Sequence, residues 1–290
     1  MSAYPAVSGP YGLKAVNEIG GLPYAGSTRM IPIASGYAAN LFYGQIVQLS
    51  GGTLVAGSYT PATNPTTVIA GTIGVFVGCQ YTNPSTLQPI QSQYWPTGTV
   101  ANDAIAYVID DPRTVFKVAV GSQATSTLSN TSSGAGYMSP SFIGTNVYPL
   151  SGAGGSTTTG NSLLSVSGGV VTNGTGNTRV TAAAPLRVIS VVPDTVYAVT
   201  QTASTSGSST TLTLTAANSA IQAGMQISSP SGTGGYSGNY ITVTNVNSTT
   251  VTLSSAVTIA SGTQVTFLGY PEVLVTWNGN FHSYNNTTGV

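Results

Sequence analysis

Side chains that could move protons or bind metals are scarce in this chain. Its 290 residues include six Asp or Glu, six Lys or Arg, one His and one Cys. Hydrolysis by paired carboxylates requires two acids that face each other across a cleft. The carboxylates considered for that role are Asp103, Asp110, Asp111, Asp194 and Glu272. Because Asp110 and Asp111 precede Pro112, we interpret them as a turn capped by an Asp side chain, with an acid or calcium role as the alternative.

The sequence supports nucleophilic catalysis no better than hydrolysis by paired carboxylates. The only histidine, His282, lies near the C-terminus, and no Gly-x-Ser-x-Gly motif surrounds any serine. Cys79 follows an apolar run and is expected to be a small buried core residue. One His and one Cys cannot supply three metal ligands without help from scattered acids. We therefore predict a chain that is not an enzyme, with no catalytic, cofactor-binding or metal site.

The composition indicates a folded protein that associates with others. Charged residues make up 4% of the chain, hydrophobic residues 41%, and the net charge is zero. That hydrophobicity is too high for intrinsic disorder. Binding to a nucleic-acid backbone needs a basic surface, so nucleic acid is a poor partner. Zero net charge also removes the repulsion that keeps proteins apart, which favours self-association or docking on a larger body.

The segment pattern predicts neither export nor membrane insertion. The N-terminus lacks the basic and apolar regions of a secretory signal, and Pro5 would break an early helix. No apolar run approaches the ~18 residues of a membrane helix. We expect the chain to remain where it is made and not to insert in a membrane.

Strand patterns dominate the sequence. From Arg29 onward, short apolar runs alternate with Gly, Pro, Asn and Ser turns, and no segment shows the periodicity of an exposed amphipathic helix. Residues 202–268 differ in texture, because Thr or Asn alternates there with aliphatic residues, which is typical of half-buried antiparallel strands. We predict an all-β fold with an antiparallel barrel-like or sandwich-like body. The predicted parts are an extended N-terminal arm (1–28), the β-rich body (29–201 and 269–290) and a small inserted β-sandwich-like module (202–268).

Aromatic residues mark candidate contact positions. The chain has 16 Tyr against 6 Phe and 2 Trp. Tyr is favoured at interfaces because its ring is buried while its hydroxyl finds a partner, although tyrosines also simply populate strands. The candidate interface residues are Tyr4, Tyr11, Leu13, Tyr24, Arg29, Trp95, Phe281 and Tyr284.

Four segments together resemble uncharacterised structural proteins of tailed bacteriophages, especially those of aquatic bacteria. They are YGLKAVN (11–17), GSTRMIPIASGY (26–37), DPRTVFKV (111–118) and FHSY (281–284). The resemblance covers residues 1 to about 200 and 269–290, and the inserted block is similar to generic Ser/Thr-rich modules of virion proteins. It implies a virion protein made in the host cytoplasm, and it transfers no functional residue.

Within a virion, a capsid decoration or cement protein fits best. A major capsid protein of tailed phages would need a long spine helix, and none is predicted. The expected partners are the major capsid protein and further copies of this chain, with a trimer as one arrangement, and residues 202–268 could contact the host surface. The first alternative is a receptor-binding or fibre protein that recognises glycan through that module. The second is a glycan-cleaving enzyme, which would need a carboxylate pair.

Overall fold

The computed structural model describes residues 9–57, 72–121, 143–150, 154–167, 184–192, 195, 198–204, 207–228, 241–279 and 282–285. These residues form strands and the short 3₁₀ turn Ser283–Asn285, and no α-helix occurs among them, which confirms the predicted all-β class. The strands up to the inserted block are β1 (Lys14–Glu18), β2 (Arg29–Pro32), β3 (Gln45–Ser50), β4 (Thr53–Ala56), β5 (Thr72–Thr82), β6 (Pro89–Ser92), β7 (Ile105–Ile109), β8 (Thr114–Gly121), β9 (Asn146–Val147), β10 (Pro149–Leu150), β11 (Ser165–Ser167) and β12 (Leu186–Val192). The remaining strands are β13 (Ala198–Thr202), β14 (Gly207–Thr213), β15 (Gln226–Ser228), β16 (Val243–Asn247), β17 (Thr250–Ile259), β18 (Gln264–Leu268) and β19 (Glu272–Trp277).

The first sheet is a nearly closed barrel. Its strands run in the order β2-β7-β5-β3-β4, β6 adds to β5, and the end strands β2 and β4 approach each other. The long strand β5 makes this possible because β3 pairs with its first half and β6 with its second half. A core cluster that includes Leu41, Phe76 and Trp95 fills the barrel.

The second sheet packs on the outside of this barrel. It runs β10-β11-β8-β19-β12-β9, and β1 pairs with β8. Its core cluster joins the two sheets, because it contains Ile46 and Val75 from the barrel together with Phe116 and Val275 from the second sheet. The body is therefore built around two buried apolar clusters that share strands of the barrel.

The inserted block makes two three-stranded sheets of its own, β13-β18-β15 and β14-β17-β16. Its apolar cluster, which includes Val251 and Phe267, contains no residue of the body. The block enters between β12 and β19, which pair with each other in antiparallel register from Leu186↔Trp277 to Val192↔Glu272. Its first strand begins at Ala198 rather than at the predicted boundary of 202, because Ala198–Thr202 pairs with Gln264–Leu268.

The predicted N-terminal arm is partly built into the body. Leu13 is 0% exposed and belongs to the core between the sheets, and Lys14–Glu18 forms β1. The register of β1 against β8 shifts between Ala15 and Asn17. This irregularity interrupts the alternation that would have identified a strand. Residues 1–8 lie outside the described residues, so an extended arm stays a prediction there.

Candidate functional site

The start of the described chain is anchored by a buried carboxylate. Tyr11 Oη donates a hydrogen bond to Glu272 Oε1 at 2.6 Å, and Lys117 Nζ lies 3.0 Å from Glu272 Oε2. The Glu272 side chain is 5% exposed. Lys14 Nζ lies 4.5 Å from the centre of the Tyr11 ring, a cation–π distance. Burial, and after it the bond to Glu272, raises the pKa of Tyr11, so its hydroxyl stays protonated as a donor.

Two glycines let the anchored segment cross the barrel at close range. Gly12 and Gly44 have φ values of +83° and +81°. A Cβ on Gly12 would lie 2.8 Å from the Gly44 carbonyl oxygen, and a Cβ on Gly44 would lie 2.8 Å from the Leu13 nitrogen. Leu13 N–H donates to the Gly44 carbonyl at 2.9 Å. Only residues without a side chain allow this crossing, which holds Leu13 in the core.

An apolar turn projects from this anchored segment. Beyond β1 the chain reverses, with Glu18 N–H donating to the Leu22 carbonyl at 2.8 Å and Ile19 N–H to the Arg113 carbonyl at 2.9 Å. Val16 is 46% exposed, Ile19 45% and Leu22 58%. We call Val16, Ile19 and Leu22 the N-terminal apolar turn. Sequence reasoning placed this region in the arm but chose its tyrosines and Leu13 as contacts and passed over these three.

The C-terminal segment is held to the barrel by Tyr284. Tyr284 Oη donates to Asp110 Oδ2 at 2.5 Å, and Arg29 Nη1 donates to Tyr284 Oη. Arg29 and Asp110 also form an ion pair at 3.6 Å. Both candidate interface residues in this cluster, Arg29 and Tyr284, therefore have partners within the chain, although Tyr284 remains 54% exposed.

His282 is a packed residue, as expected. It is fully buried, and its ring meets the Trp277 ring edge-on at 5.6 Å. Its Nδ1 accepts a hydrogen bond from the Tyr284 N–H at 3.3 Å. Burial lowers the pKa of His282, and the backbone of Ile73 and the carboxylate of Asp110 only partly oppose that shift. A neutral imidazole enclosed by aromatic rings is a structural element of this corner.

The other candidate interface residues that the structure describes are buried or half-buried. Leu13 and Trp95 are both 0% exposed, so neither presents a surface to a partner, which corrects their selection as contacts. Trp95 lies inside the barrel against Tyr81, with ring centres 5.2 Å apart. Tyr24 is half-buried against the core and donates to the Ser27 carbonyl at 2.7 Å. Tyr4 and Phe281 lie outside the described residues.

Each carboxylate considered for catalysis, within the described ranges, has its own protein partner. Asp103 accepts from Thr82 Oγ1 at 2.6 Å, and Asp111 Oδ1 accepts from the Arg113 N–H at 2.8 Å, which is the predicted Asp-capped turn. Asp110 and Glu272 are engaged as described above. Asp194 lies outside the described residues. No cluster of three or more His, Cys, Asp or Glu suited to a metal ion occurs among the residues the structure describes.

A groove of about 800 Å³ opens on the body where β5, β6 and β7 meet the start of β1. Tyrosines and uncharged polar side chains dominate its lining. The described lining residues are Lys14, Tyr43, Val77, Gly78, Cys79, Gln91, Ser92, Gln93, Tyr107 and Asn161. Sequence reasoning missed this site because its residues come from six separate segments without a shared motif. Cys79, as predicted, is a buried free thiol, and burial raises its pKa to about 12.

Tyr236 and Tyr240, the two tyrosines of residues 202–268, lie outside the described residues. In the parts of the chain that are described, no helix is long and apolar enough to cross a membrane.

No protein-family model matches the chain, and no curated protein or solved structure is significantly similar to it.

Proposed function

We propose that this chain is a non-enzymatic structural protein of a tailed-phage virion, which binds the outer capsid surface and cements neighbouring subunits. The N-terminal apolar turn is the observation that carries the proposal. It presents three aliphatic side chains on a segment fixed to the body by the Tyr11–Glu272 hydrogen bond and the Gly12–Gly44 crossing. Exposed apolar residues on a rigid support are typical of contact surfaces.

The energy available from this turn suits many weak contacts rather than one strong one. Fully burying an aliphatic side chain yields about 1.5–3 kcal/mol. Because about half of each side chain is still exposed, burying the rest of all three would yield roughly 2–4 kcal/mol. A micromolar complex needs about 8 kcal/mol. The turn alone is insufficient, and simultaneous contacts from self-associated copies on a capsid lattice would supply the remainder.

The distribution of charge supports the same role. Lys117 and Arg29 each form an ion pair within the chain, with Glu272 and Asp110 respectively. A protein with zero net charge and such internal pairing presents little long-range repulsion to copies of itself or to a capsid. Contact of the inserted block with the host surface remains a prediction.

The test is co-sedimentation of the purified chain with capsids that lack it. We expect Leu22→Glu to reduce the bound amount at least fivefold, because the contact would then have to bury a charge. Leu87→Glu is the matched control, since Leu87 is an exposed leucine in a barrel loop, 77% accessible. Equal binding of the wild type and Leu22→Glu would contradict the proposed contact, and no binding of the wild type would contradict the proposed function.

A further inference from the structure

We infer that the groove on the body binds a short saccharide. This goes beyond the cementing role, because the groove and the N-terminal apolar turn share no residue. It also differs from the glycan recognition predicted for the inserted block, because every described residue that lines the groove belongs to the body.

The groove has a floor without large side chains and walls with polar ones. At the floor, Gly78 of β5 lies opposite Tyr107 of β7, and Cys79 lies opposite Ser92 of β6. Gly78 has φ +144°, and a Cβ there would lie 3.0 Å from the Ser92 carbonyl oxygen. The register of β5 against β7 shifts at this point. The bulge and the absent Cβ let the β5 backbone lie close to β6 beside the half-buried Tyr107, which keeps the floor of the groove free of a large side chain at Gly78.

The wall opposite is held in place by hydrogen bonds. Gln93 Nε2 donates to Asn161 Oδ1 at 2.8 Å. Asn161 and Tyr43 are backbone neighbours in a parallel bridge, and Tyr43 N–H donates to the Gly160 carbonyl at 2.9 Å. A Cβ on Gly160 would lie 3.0 Å from Gln93 Cβ, so this segment packs tightly against Gln93. The Gln93 and Asn161 amides therefore orient each other before any ligand arrives, which reduces the entropy lost on binding.

The chemistry of the lining matches a polyhydroxylated ligand. Amide side chains both donate and accept hydrogen bonds, as sugar hydroxyls do. The tyrosine rings offer apolar faces for the C–H face of a sugar ring. The Tyr107 hydroxyl donates to Gln80 Oε1 at 2.9 Å, so its oxygen remains as an acceptor for a ligand hydroxyl. The volume of about 800 Å³ is in the range of small-molecule sites, with space for several sugar rings.

Other ligand classes fit this lining less well. A nucleotide or nucleic acid needs several cations for its phosphates, and Lys14 is the single cation among the described lining residues. Those residues include no Asp, Glu or His, and the Cys79 thiol is buried with its pKa raised to about 12. A saccharide held here would therefore be bound without acid–base or nucleophilic attack by these groups.

The experiment is a glycan microarray of hexose and N-acetylhexosamine oligosaccharides with the full chain. It is followed by saturation-transfer NMR on the best-bound oligosaccharide. We expect binding to at least one class of oligosaccharide. Tyr43→Ala and Gln93→Ala should each lower the affinity about tenfold. The control Gln222→Ala, which changes an exposed glutamine of the inserted block, should leave the affinity unchanged. Thermal unfolding of each variant separates a lost contact from a lost fold, and Tyr43→Phe, which keeps the ring, should retain most of the affinity.

Three results would overturn the inference. They are an array without signal, binding that Tyr43→Ala and Gln93→Ala leave unchanged while both remain folded, and binding that is lost equally in Gln222→Ala. Gln93→Ala should still co-sediment with capsids as the wild type does. Failure of saccharide binding and failure of cementing can therefore be told apart.

Discussion

Removal of one oxygen from Tyr11 should weaken the fold by a measurable amount. In Tyr11→Phe, the ring keeps its place beside Lys14 but the 2.6 Å bond to Glu272 is lost. A hydrogen bond to a charged group contributes about 1.5–3 kcal/mol. Glu272, with its side chain 5% exposed, still has Lys117 at 3.0 Å, so we expect the lower part of that range, about 1.5–2 kcal/mol. At ~2–4 °C per kcal/mol, the unfolding temperature would fall by roughly 3–8 °C.

Urea unfolding followed by tryptophan fluorescence reports on the relevant part of the chain. Trp95 and Trp277 are the two tryptophans, and both lie in core clusters of the body. Tyr94→Phe is the matched control, because it removes the same atom from a half-buried ring that stacks on Phe42 at 5.9 Å. A double-mutant cycle of Tyr11→Phe with Glu272→Gln should give a coupling energy of about 1 kcal/mol. A Tyr11→Phe variant as stable as the wild type, or a coupling energy near zero, would refute the anchoring role of this bond.

Two further perturbations test other parts of the structure. In urea unfolding, Gly12→Ala should destabilise the protein by about 1–3 kcal/mol more than Gly36→Ala. Both glycines have positive φ, but only a Cβ on Gly12 would meet backbone atoms. Equal losses of stability would show that the Gly12–Gly44 crossing is looser than described. Stability should be greatest above pH ~6.5 and fall as the pH drops toward the lowered pKa of His282, because the unfolded chain then binds a proton that the folded chain excludes. His282→Asn should flatten this dependence between pH 7 and 5, and an unchanged slope would assign the acid sensitivity to other groups.

The strand content and the inserted block were predictable because their signals are local. The Thr–aliphatic alternation of 202–268 specifies which side chains are buried. Val251 and Leu253 lie in the block's own core, whereas Thr250 and Thr252 are only partly buried. The Asp-capped turn and the buried Cys79 rest on equally local chemistry. The pairing of Ala198–Thr202 with Gln264–Leu268 is not visible in the local pattern, because the two strands lie far apart along the chain.

The contact residues were harder to predict, because burial depends on distant partners. Leu13 and Trp95 were selected as contacts in irregular segments, but each is enclosed by strands far away in sequence. The groove could not be seen in the sequence for the same reason, since Tyr43, Gln93, Tyr107 and Asn161 meet only after β5, β6 and β7 have paired.

The proposed cementing role is tested most directly by cryo-electron microscopy of virions that carry this protein, at a resolution that separates subunits. We expect density for the chain at many symmetry-related positions on the outer shell, with Val16, Ile19 and Leu22 against a neighbouring subunit. Density confined to the tail or fibres, or no density in the particle, would contradict the proposal.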